Sequence, residues 1–392
     1  MEYKGIVLTG TSGAGKSIIS KKLCEKYKVF KIVQAVTTRD QKIDNDLNQY
    51  QFVTKEKFEE LFKNEELLLR YKYIDENYGI ISEPIKKVIA MNKVPLLIIT
   101  PESVREIQSK EHNSFLTIFL DAPDNILNER LKQRKEKIDE KIKSQRMRDR
   151  KCAEEYTKDE DICIYIIKNK HTDVEEGAQL INELWSHKNT GGMLPKKMIK
   201  LMIKNGMLLE NSDIDNIQGS SYDLVVGDQY FQKGEIKTLD DKKPFIIMKS
   251  GDYVLISAKE IATFPKDIAG RFDVSVSLFC KGVILSNGPQ VDPGFHGGLF
   301  CLLFNTSNDE IQLKKEEHFA TIEFIKLIAP TKGYQGKYQD KVKIADYLPK
   351  VVEKSAINQL FEDVKRLKRE RWIGYITIFI TIVLAIIAII LR

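Results

Sequence analysis

Residues 10–17, GTSGAGKS, decide the fold expected for the first half of the chain. They follow an apolar run at residues 5–9 that is typical of a buried strand, and they precede a segment typical of a helix. In this context glycines allow backbone amides to point at an anionic phosphate, and the helix N-terminus adds positive potential. We predict that Lys16 contacts the β- and γ-phosphate oxygens of ATP or GTP and that Ser17 ligates Mg²⁺. The predicted loop contacts are Gly10, Ser12, Gly13, Gly15, Lys16 and Ser17.

The pattern of apolar and polar residues divides the chain into two main regions. Residues 1–187 alternate apolar strand patterns with charged helical segments, which is typical of a parallel α/β sheet. The strand patterns lie at residues 5–9, 95–100, 115–120 and 162–168. A polar stretch at residues 188–192 predicts a linker. Residues 193–350 then begin with a helix at 195–205 and continue as short runs broken by Gly, Asn and Pro, which favours an all-β domain.

The C-terminal residues 372–391, WIGYITIFITIVLAIIAIIL, are an uncharged run of 20 residues. At about 1.5 Å per residue, a helix of this length reaches the roughly 30 Å of a bilayer core. The basic residues KRLKRER at 365–371 precede it, which predicts a single-pass anchor in the cell membrane with the domains in the cytoplasm. An amphipathic, basic connector helix is predicted over 351–371, from the helical spacing of Ile357, Leu360, Phe361, Val364 and Leu367.

Charge and cysteine content argue against several classes of function. The formal net charge is +6, but residues 365–392 hold six Lys or Arg and one Glu, so they carry +5 and the other residues carry +1. A nearly neutral remainder does not indicate binding to a nucleic-acid polymer. The five cysteines are scattered without a Cys-x-x-Cys pair, which indicates reduced thiols and neither a disulfide framework nor a zinc site.

Three short motifs after the phosphate loop resemble guanylate kinase. They are TTRD at residues 37–40, Tyr50 with Phe52, and the dipeptide Tyr78-Gly79. The resemblance covers nearly all of the first region and implies that Arg39, Tyr50 and Tyr78 bind the phosphate of a nucleoside monophosphate. It also implies ATP and Mg²⁺ as cofactors and a lid of arginines that stabilise the transferred phosphoryl group. The arginines at the matching place are Arg130, Arg134, Arg146, Arg148 and Arg150, of which Arg134, Arg146 and Arg150 join Lys16 as candidate catalytic residues.

The positions that would recognise guanine depart from the guanylate kinase pattern. Leu69 replaces the base-contacting glutamate, Ile80 replaces the serine after Tyr-Gly, and Thr100 replaces an aspartate at the end of the middle strand. The second arginine of the TTRD motif is missing near Lys42. A site that hydrogen-bonds a base edge loses discrimination when its partners become apolar. GMP is therefore not the expected acceptor, and three activities stay open: phosphorylation of another nucleoside monophosphate, hydrolysis of a triphosphate, and binding alone.

The second region resembles the dUTPase and dCTP deaminase superfamily in three motifs. They are GSSYDLVVG at 219–227, QVDPGFHGGLFCLLFN at 290–305, and GKYQ at 336–339, which favours the deaminase branch. The resemblance implies a β-domain that assembles as a homotrimer with deoxynucleotide sites between subunits. It implies a contact of Asp292 with the sugar region, activation of water by this aspartate in the dUTPase branch, and phosphate contacts from Lys337 and Tyr338. Capping of a turn is the alternative role for Asp292, and Asp223 is predicted to be structural.

Several catalytic positions of the deaminases are changed. Leu302 stands where the family has its general acid/base glutamate, and an aliphatic side chain cannot transfer protons. Ser275, Val276 and Ser277 replace an Arg-Ser-Ser phosphate-binding signature, and Cys280 replaces an arginine one turn later. Two charge-assisted phosphate donors are therefore missing. We predict that this domain binds a deoxynucleotide but has lost deaminase activity.

Three hypotheses for function follow from these motifs. The first is a membrane-anchored nucleotide protein that transfers a phosphoryl group from ATP to a nucleoside monophosphate and also binds deoxynucleotides. The second is a non-catalytic nucleotide sensor or membrane effector in signalling or antiviral defence. The third is an active dCTP deaminase or dUTP pyrophosphatase, although Leu302 argues against deamination.

Overall fold

The computed structural model describes residues 3–40, 49–73, 76–133, 138–159, 161–168, 173–286, 290–348 and 356–390. In the last of these segments, side chains are described only for residues 363–364 and 366–382. The candidate lid residue Arg134 and Lys42, near which the second arginine of the TTRD motif is missing, lie outside the described residues.

The first domain alternates strands and helices along the chain. Its strands are β1 Gly5–Gly10, β2 Phe30–Val33, β3 Ala35–Thr37, β4 Tyr50–Phe52, β5 Leu67–Tyr73, β6 Glu76–Ile81, β7 Val94–Ile98, β8 Phe115–Asp121 and β9 Ile164–Lys168. Its helices are α1 Lys16–Lys26, α2 Lys55–Lys63, α3 Ser82–Ala90, α4 Val104–Lys110, α5 Asp124–Gln133, α6 Glu140–Lys158 and α7 Val174–Ser186, with a short 3-10 turn at Pro101–Ser103.

A five-stranded sheet with the order β2-β7-β1-β8-β9 forms the centre of this domain, and each of its strand pairs is parallel. Strand β1 is buried at every residue because helices cover both faces of the sheet. Ile6 and Leu8 pack with α1 and α7 on one face, and Val7 packs with α3, α4 and α6 on the other. The parallel α/β sheet predicted from the sequence is confirmed.

A second, four-stranded sheet with the order β4-β3-β6-β5 was not predicted. Strands β3 and β4 have three residues each, and β5 is buried only at Leu69, so the apolar pattern in these segments is weak. The sheet brings the TTRD segment, Tyr50 and Tyr78 together, because Val36 and Thr37 of β3 pair with both β4 and β6.

The second domain is β-rich, as predicted. Its strands are β10 Gly192–Met193, β11 Leu208–Glu210, β12 Ser221–Gln232, β13 Glu235–Thr238, β14 Phe245–Met248, β15 Tyr253–Thr263, β16 Ile268–Val274, β17 Val283–Leu285, β18 Gln290–Val291, β19 His296–Asn305, β20 Ile311–Lys314 and β21 His318–Lys326. Its helices are α8 Lys196–Lys204 and α9 Val276–Cys280, with 3-10 turns at Ile214–Asn216 and Ile344–Asp346.

Most strands of the second domain pair antiparallel in a ten-stranded sheet whose main path is β17-β19-β15-β12-β21-β16-β18, and β14 pairs with β20 in a separate two-stranded sheet. Burial alternates strictly along β19, so Cys301 and Leu303 face the core while Leu302 is half-buried on the opposite face. Gly192, which the sequence placed in the linker, instead pairs with Lys326 in β10 and β21.

The two domains share one continuous apolar cluster. Leu184 of α7 and Met198 and Met202 of α8 belong to the same set of buried residues as Ile6 and Leu8 of the parallel sheet. Buried apolar contact of this kind removes surface from water on both sides and holds the two domains in contact.

The last helix is α10, Ala356–Ile390. Among the residues that the structure describes, no helix combines the length and the apolar character needed to cross a bilayer. The apolar part with described side chains, residues 372–382, extends about 16 Å at 1.5 Å per residue, and the side chains of 383–390 and all of residues 391–392 lie outside the described part. The predicted transmembrane anchor at 372–391, and the membrane as a partner, are therefore not supported.

The connector helix predicted over residues 351–371 is described only in part. Residues 351–355 and the side chains of Ile357, Leu360 and Phe361 lie outside the described part. The other two apolar residues of its pattern, Val364 and Leu367, are exposed.

Candidate nucleotide sites

The loop between β1 and α1 has three glycines with positive φ angles. Gly10, Gly13 and Gly15 have φ angles of 141°, 87° and 96°, in a region that side chains rarely permit. A Cβ atom at Gly10 would lie 2.1 Å from the carbonyl oxygen of Leu120, so glycine is also required there by space. Helix α1 begins at Lys16 without a side-chain cap, which leaves its first amides directed into the loop.

Lys16 and Ser17 lie where the sequence predicts a triphosphate and its metal ion. The Lys16 Nζ atom donates hydrogen bonds to the carbonyl oxygens of Gly10, at 2.7 Å, and Thr11, at 2.9 Å. The exposed Ser17 hydroxyl donates to Gln49 Oε1 at 2.9 Å. An ammonium group and a hydroxyl at a helix N-terminus fit the γ-phosphate and Mg²⁺ of a nucleotide.

Arg150 connects helix α6 to the carboxyl end of β8. Its Nε donates to Asp121 Oδ2 at 2.9 Å, and its Nη2 donates to Asp124 Oδ1 at 3.0 Å. Thr11 of the phosphate loop donates to the other oxygen of Asp121, at 2.8 Å. These hydrogen bonds, first of all the one with Asp124, raise the pKa of Arg150, and the same contact lowers the pKa of Asp124. Arg150 is therefore held beside the loop by two carboxylates.

Arg146, one turn earlier on α6, is 2% exposed. Its Nη1 donates to Asn128 Oδ1 at 2.7 Å, and the nearest carboxylate oxygen, on Asp124, is 3.7 Å away. Within the described part of the chain, Nε and Nη2 are buried and have no hydrogen-bond partner. Burial lowers the pKa of this guanidinium, although it stays charged at neutral pH. A buried cation with two unsatisfied donors fits an anionic ligand such as a phosphoryl group.

Asp149 is a buried carboxyl group on the same helix, 1% exposed, that the sequence did not single out. Its Oδ1 accepts a hydrogen bond from Gln145 Nε2 at 2.9 Å. Burial raises its pKa to about 6, and the nearby Lys16 opposes that shift. The folded-state pKa therefore exceeds the unfolded value of about 3.9.

This shift predicts a pH-dependent loss of stability. The contribution of protonated Asp149 is fully present below about pH 4 and is lost as the pH rises through about 6, because the folded state binds the proton more tightly. Replacing Asp149 with Asn keeps the acceptor for Gln145 and removes the titration. We expect Asp149→Asn to raise the free energy of unfolding by about 3 kcal/mol at pH 7, with the difference vanishing near pH 4. Urea unfolding of both proteins at the two pH values measures this, and a pH-independent difference would contradict it.

The residues predicted to bind an acceptor phosphate form an aromatic cluster on the small sheet. The Arg39 guanidinium lies over the Tyr50 ring, 4.6 Å from its centroid. The Tyr50 and Tyr78 rings are 5.9 Å apart, and Tyr71, which the sequence analysis did not identify, stacks on Tyr78 at 5.4 Å. Tyr73 lies 6.4 Å from Tyr78 and shares a hydrogen bond with Ser12, so the cluster reaches the phosphate loop.

The positions aligned with guanine recognition are apolar in space as well as in sequence. Leu69 and Ile80 are paired across β5 and β6, and both are fully buried. The Thr100 hydroxyl is hydrogen-bonded to the Ser103 hydroxyl at 2.8 Å. Leu69 and Ile80 present no polar side-chain atom to a base edge.

The predicted nucleotide residues of the second domain lie on two loops that are hydrogen-bonded to each other. Asp292 is exposed in the turn after β18 and accepts from Gln290 Nε2 at 3.2 Å. The Tyr334 amide donates to the Pro293 carbonyl at 2.7 Å, which ties this turn to the segment carrying Lys337 and Tyr338. Tyr338 stacks on Tyr347 at 4.7 Å, and the Lys337 ammonium lies over the Tyr338 ring.

The changed deaminase positions offer no cation to a phosphate. Ser275 and Ser277 are hydrogen-bonded to each other at 3.1 Å, and Val276 and Cys280 are exposed on α9. Asp223 accepts a hydrogen bond from the Thr321 hydroxyl and lies 3.4 Å from the His318 ring, and its predicted structural role at a trimer contact stays a prediction.

Residues that the sequence analysis missed are chiefly partners of predicted ones. Asp121, Asp124 and Asn128 hold the two arginines, and Gln49 bonds to Ser17. Of these residues, Asp121 was the one with a local sequence signal for a functional site, because it directly follows the apolar run of β8. Polar residues at the carboxyl ends of strands indicate a ligand site in an open α/β sheet.

The fold and the loop around Lys16 define a P-loop domain joined to an antiparallel β-domain. Residues 2–186 match the family model of guanylate kinase, and residues 193–327 match that of dCTP deaminase-like proteins. The chain belongs to the dCTP deaminase-like family through its C-terminal domain, which is fused to an N-terminal guanylate kinase domain. Both resemblances inferred from the sequence are confirmed.

Each of the following relatives covers one domain of this chain. The dCTP deaminase of Pyrococcus furiosus is 34% identical over 144 residues, which are 36% of this chain and 91% of the relative. The guanylate kinase of Mycoplasmopsis pulmonis is 29% identical over 194 residues, which are 47% of this chain and 95% of the relative. A crystal structure of guanylate kinase from Anaplasma phagocytophilum aligns with a TM-score of 0.37 and 22% identity, over 48% of this chain and 88% of that one.

Proposed function

We propose that the first domain transfers the γ-phosphoryl group of ATP to a nucleoside monophosphate, and that the second domain binds a deoxynucleotide without deaminating it. The first part rests mainly on Arg146. Its guanidinium group is buried beside the phosphate loop, and its Nε and Nη2 atoms have no hydrogen-bond partner among the described residues. A transferred phosphoryl group has three equatorial oxygens on which charge is spread, and arginines are suited to that charge.

Each residue of the proposed site has a defined task. The loop amides and Lys16 bind the β- and γ-phosphates, and Arg146 and Arg150 stabilise charge on the moving group. Ser17 would ligate Mg²⁺, which would neutralise charge on the phosphate oxygens. Arg39, Tyr50 and Tyr78 bind the acceptor phosphate from the small sheet.

Leu69 and Ile80 have no side-chain atoms that could form hydrogen bonds with the acceptor base. These two buried side chains favour an acceptor held by apolar contact and by the tyrosine cluster, so GMP is not the preferred acceptor. Incubation of the full chain with [γ-³²P]ATP, Mg²⁺ and each nucleoside and deoxynucleoside monophosphate tests the proposal. We expect labelled diphosphate with at least one acceptor, and with none the kinase function is excluded.

The second domain is proposed to bind deoxynucleotides as a homotrimer, with Asp292, Lys337 and Tyr338 as contacts. This proposal is supported by the family to which the domain belongs and by the hydrogen bond between the two loops that carry these residues. We expect dCTP to raise the melting temperature by mass action, and Asp292→Asn to reduce that rise. The exposed Asp241 lies on another loop, so Asp241→Asn should leave the rise unchanged.

Deamination is expected to be absent. Leu302 cannot exchange protons with a cytosine ring or a water molecule, so uracil nucleotides should not form from dCTP in the sample that shows thermal stabilisation. Chromatography of the nucleotides after prolonged incubation measures this. Uracil nucleotide that accumulates in proportion to protein concentration would contradict the assignment of Leu302.

A purely binding role is the second candidate for the whole chain. It is favoured by the loss of the arginines at Ser275 and Cys280 beside an intact β-domain. Stabilisation by both ATP and deoxynucleotides without any turnover would support this nucleotide-sensor role over the kinase.

A further inference from the structure

A lysine of the second domain caps a helix of the first. Lys266 lies in the loop between β15 and β16 and is 3% exposed. Its ammonium group donates to the carbonyl oxygens of Tyr156, at 2.9 Å, and Ile162, at 3.1 Å, and also to that of Asp159. These three carbonyls lie at and just beyond the C-terminal end of α6.

The contact is electrostatically favourable because it places a cation at the C-terminal end of a helix. The last carbonyls of a helix have no partner within the helix, and they form the negative end of its dipole. Burial lowers the pKa of Lys266, so the charged form depends on the carbonyl oxygens that surround it. A second donor from the same domain, Gln335 Nε2, bonds to the Lys158 carbonyl at 3.0 Å.

The capped helix is the one that carries the proposed phosphoryl-binding arginines. Arg146 and Arg150 lie on α6 two to three turns before the capped end. Because an α-helix is stiff over this length, a shift at its C-terminal end moves both guanidinium groups relative to the phosphate loop.

The loop carrying Lys266 is anchored on both domains. Asp267, the next residue, is paired with Lys326 and accepts from the Tyr165 hydroxyl of β9. On the other side, the Gly294 amide donates to the Pro265 carbonyl at 3.1 Å, which ties the loop to the turn that carries Asp292. A cavity of about 460 Å³ between the domains is lined by Arg150 at one side and by Lys266 and Gly294 at the other.

We propose that Lys266 is a positioning residue for phosphoryl transfer, through which the second domain holds α6 so that Arg146 and Arg150 meet the phosphates. The inference rests on the proposed kinase function. The described hydrogen bonds of the Lys266 ammonium go to backbone carbonyls at and just beyond the end of α6, so Lys266 acts through the helix.

The test compares Lys266→Met in the full chain with the wild type. We expect kcat for phosphoryl transfer to fall about tenfold with KM for ATP changed less than about twofold, because the arginines act on the transition state while the phosphate loop binds ATP. Amide hydrogen exchange across residues 140–158 should accelerate in the same variant. The matched control is Lys197→Met, which removes an exposed interdomain ion pair with Glu183, 2.7 Å long, that does not involve α6.

Gln335→Leu provides an independent variant, because Gln335 is exposed and its loss leaves the interface core intact. Gln335→Leu should lower kcat and accelerate amide hydrogen exchange across residues 140–158, both less strongly than Lys266→Met. If Lys266→Met does not fold, Gln335→Leu tests the proposal in its place. Exchange across 140–158 equal to that of the wild type in the folded variants, or an unchanged kcat, would overturn the proposal. If the wild type shows no phosphoryl transfer, the proposed function fails, and the exchange measurement alone still decides whether Lys266 fixes α6.

Discussion

Replacing Lys16 with methionine is expected to lower the rate of phosphoryl transfer from ATP by about a thousandfold. The Lys16 ammonium lies on the phosphate loop, where it bonds to the carbonyl oxygens of Gly10 and Thr11 at 2.7 and 2.9 Å. A γ-phosphate bound in the loop attracts this cation, and methionine keeps an unbranched side chain but supplies no charge. Initial rates of ADP formation with saturating acceptor measure the effect.

Lys21→Met is the matched control, because Lys21 is on the same helix but is exposed and lies 3.9 Å from Glu25. It should retain the wild-type rate and melting temperature. A Lys16→Met protein that is folded and transfers the phosphoryl group within a few-fold of the wild-type rate would place ATP somewhere other than this loop.

Replacing Arg146 with methionine is expected to separate activity from stability. The rate of transfer should fall by about a hundredfold, because one donor to the developing charge of the transition state is lost. Stability should stay equal or rise, since the change removes a buried charge whose Nε and Nη2 have no partner among the described residues. The two measurements are kcat and the midpoint of urea unfolding.

Lys143→Met on the same helix is the control for Arg146→Met. Lys143 is exposed, and its ion pair with Glu140, 2.7 Å long, lies at the start of α6. It should change neither quantity measurably. If Arg146→Met instead unfolds the protein while Lys143→Met does not, Arg146 is a structural residue and the proposed role in phosphoryl transfer loses its main support.

The large parallel sheet could be predicted because its signal is local and strong. Strand β1 is buried at each of its residues, and the glycines of the loop that follows have conformations that few other residues adopt. The small sheet could not be predicted in the same way. Its strands are short and half-buried, and their pairing joins segments up to about 40 residues apart, which no local period reveals.

The candidate site was predictable only in its motif residues. Arg146 and Arg150 are visible as part of a basic helix, but their burial and their partners depend on Asp121, Asp124 and Asn128, which are 18 to 29 residues distant in the chain. Lys266 carried no sequence signal at all, because its acceptors are backbone carbonyls of the other domain. The C-terminal span was inferred from composition, and the described side chains of α10 do not support it.

The most direct measurement is the destination of the γ-phosphoryl group in a reaction of the full chain with [γ-³²P]ATP, Mg²⁺ and a single nucleoside monophosphate. We predict that label appears in the nucleoside diphosphate, that ADP formation depends on the acceptor, and that GMP is a poorer acceptor than at least one other monophosphate. Label found only in inorganic phosphate at a rate independent of acceptor, or ADP formation no greater than with Lys16→Met, would contradict phosphoryl transfer by the first domain.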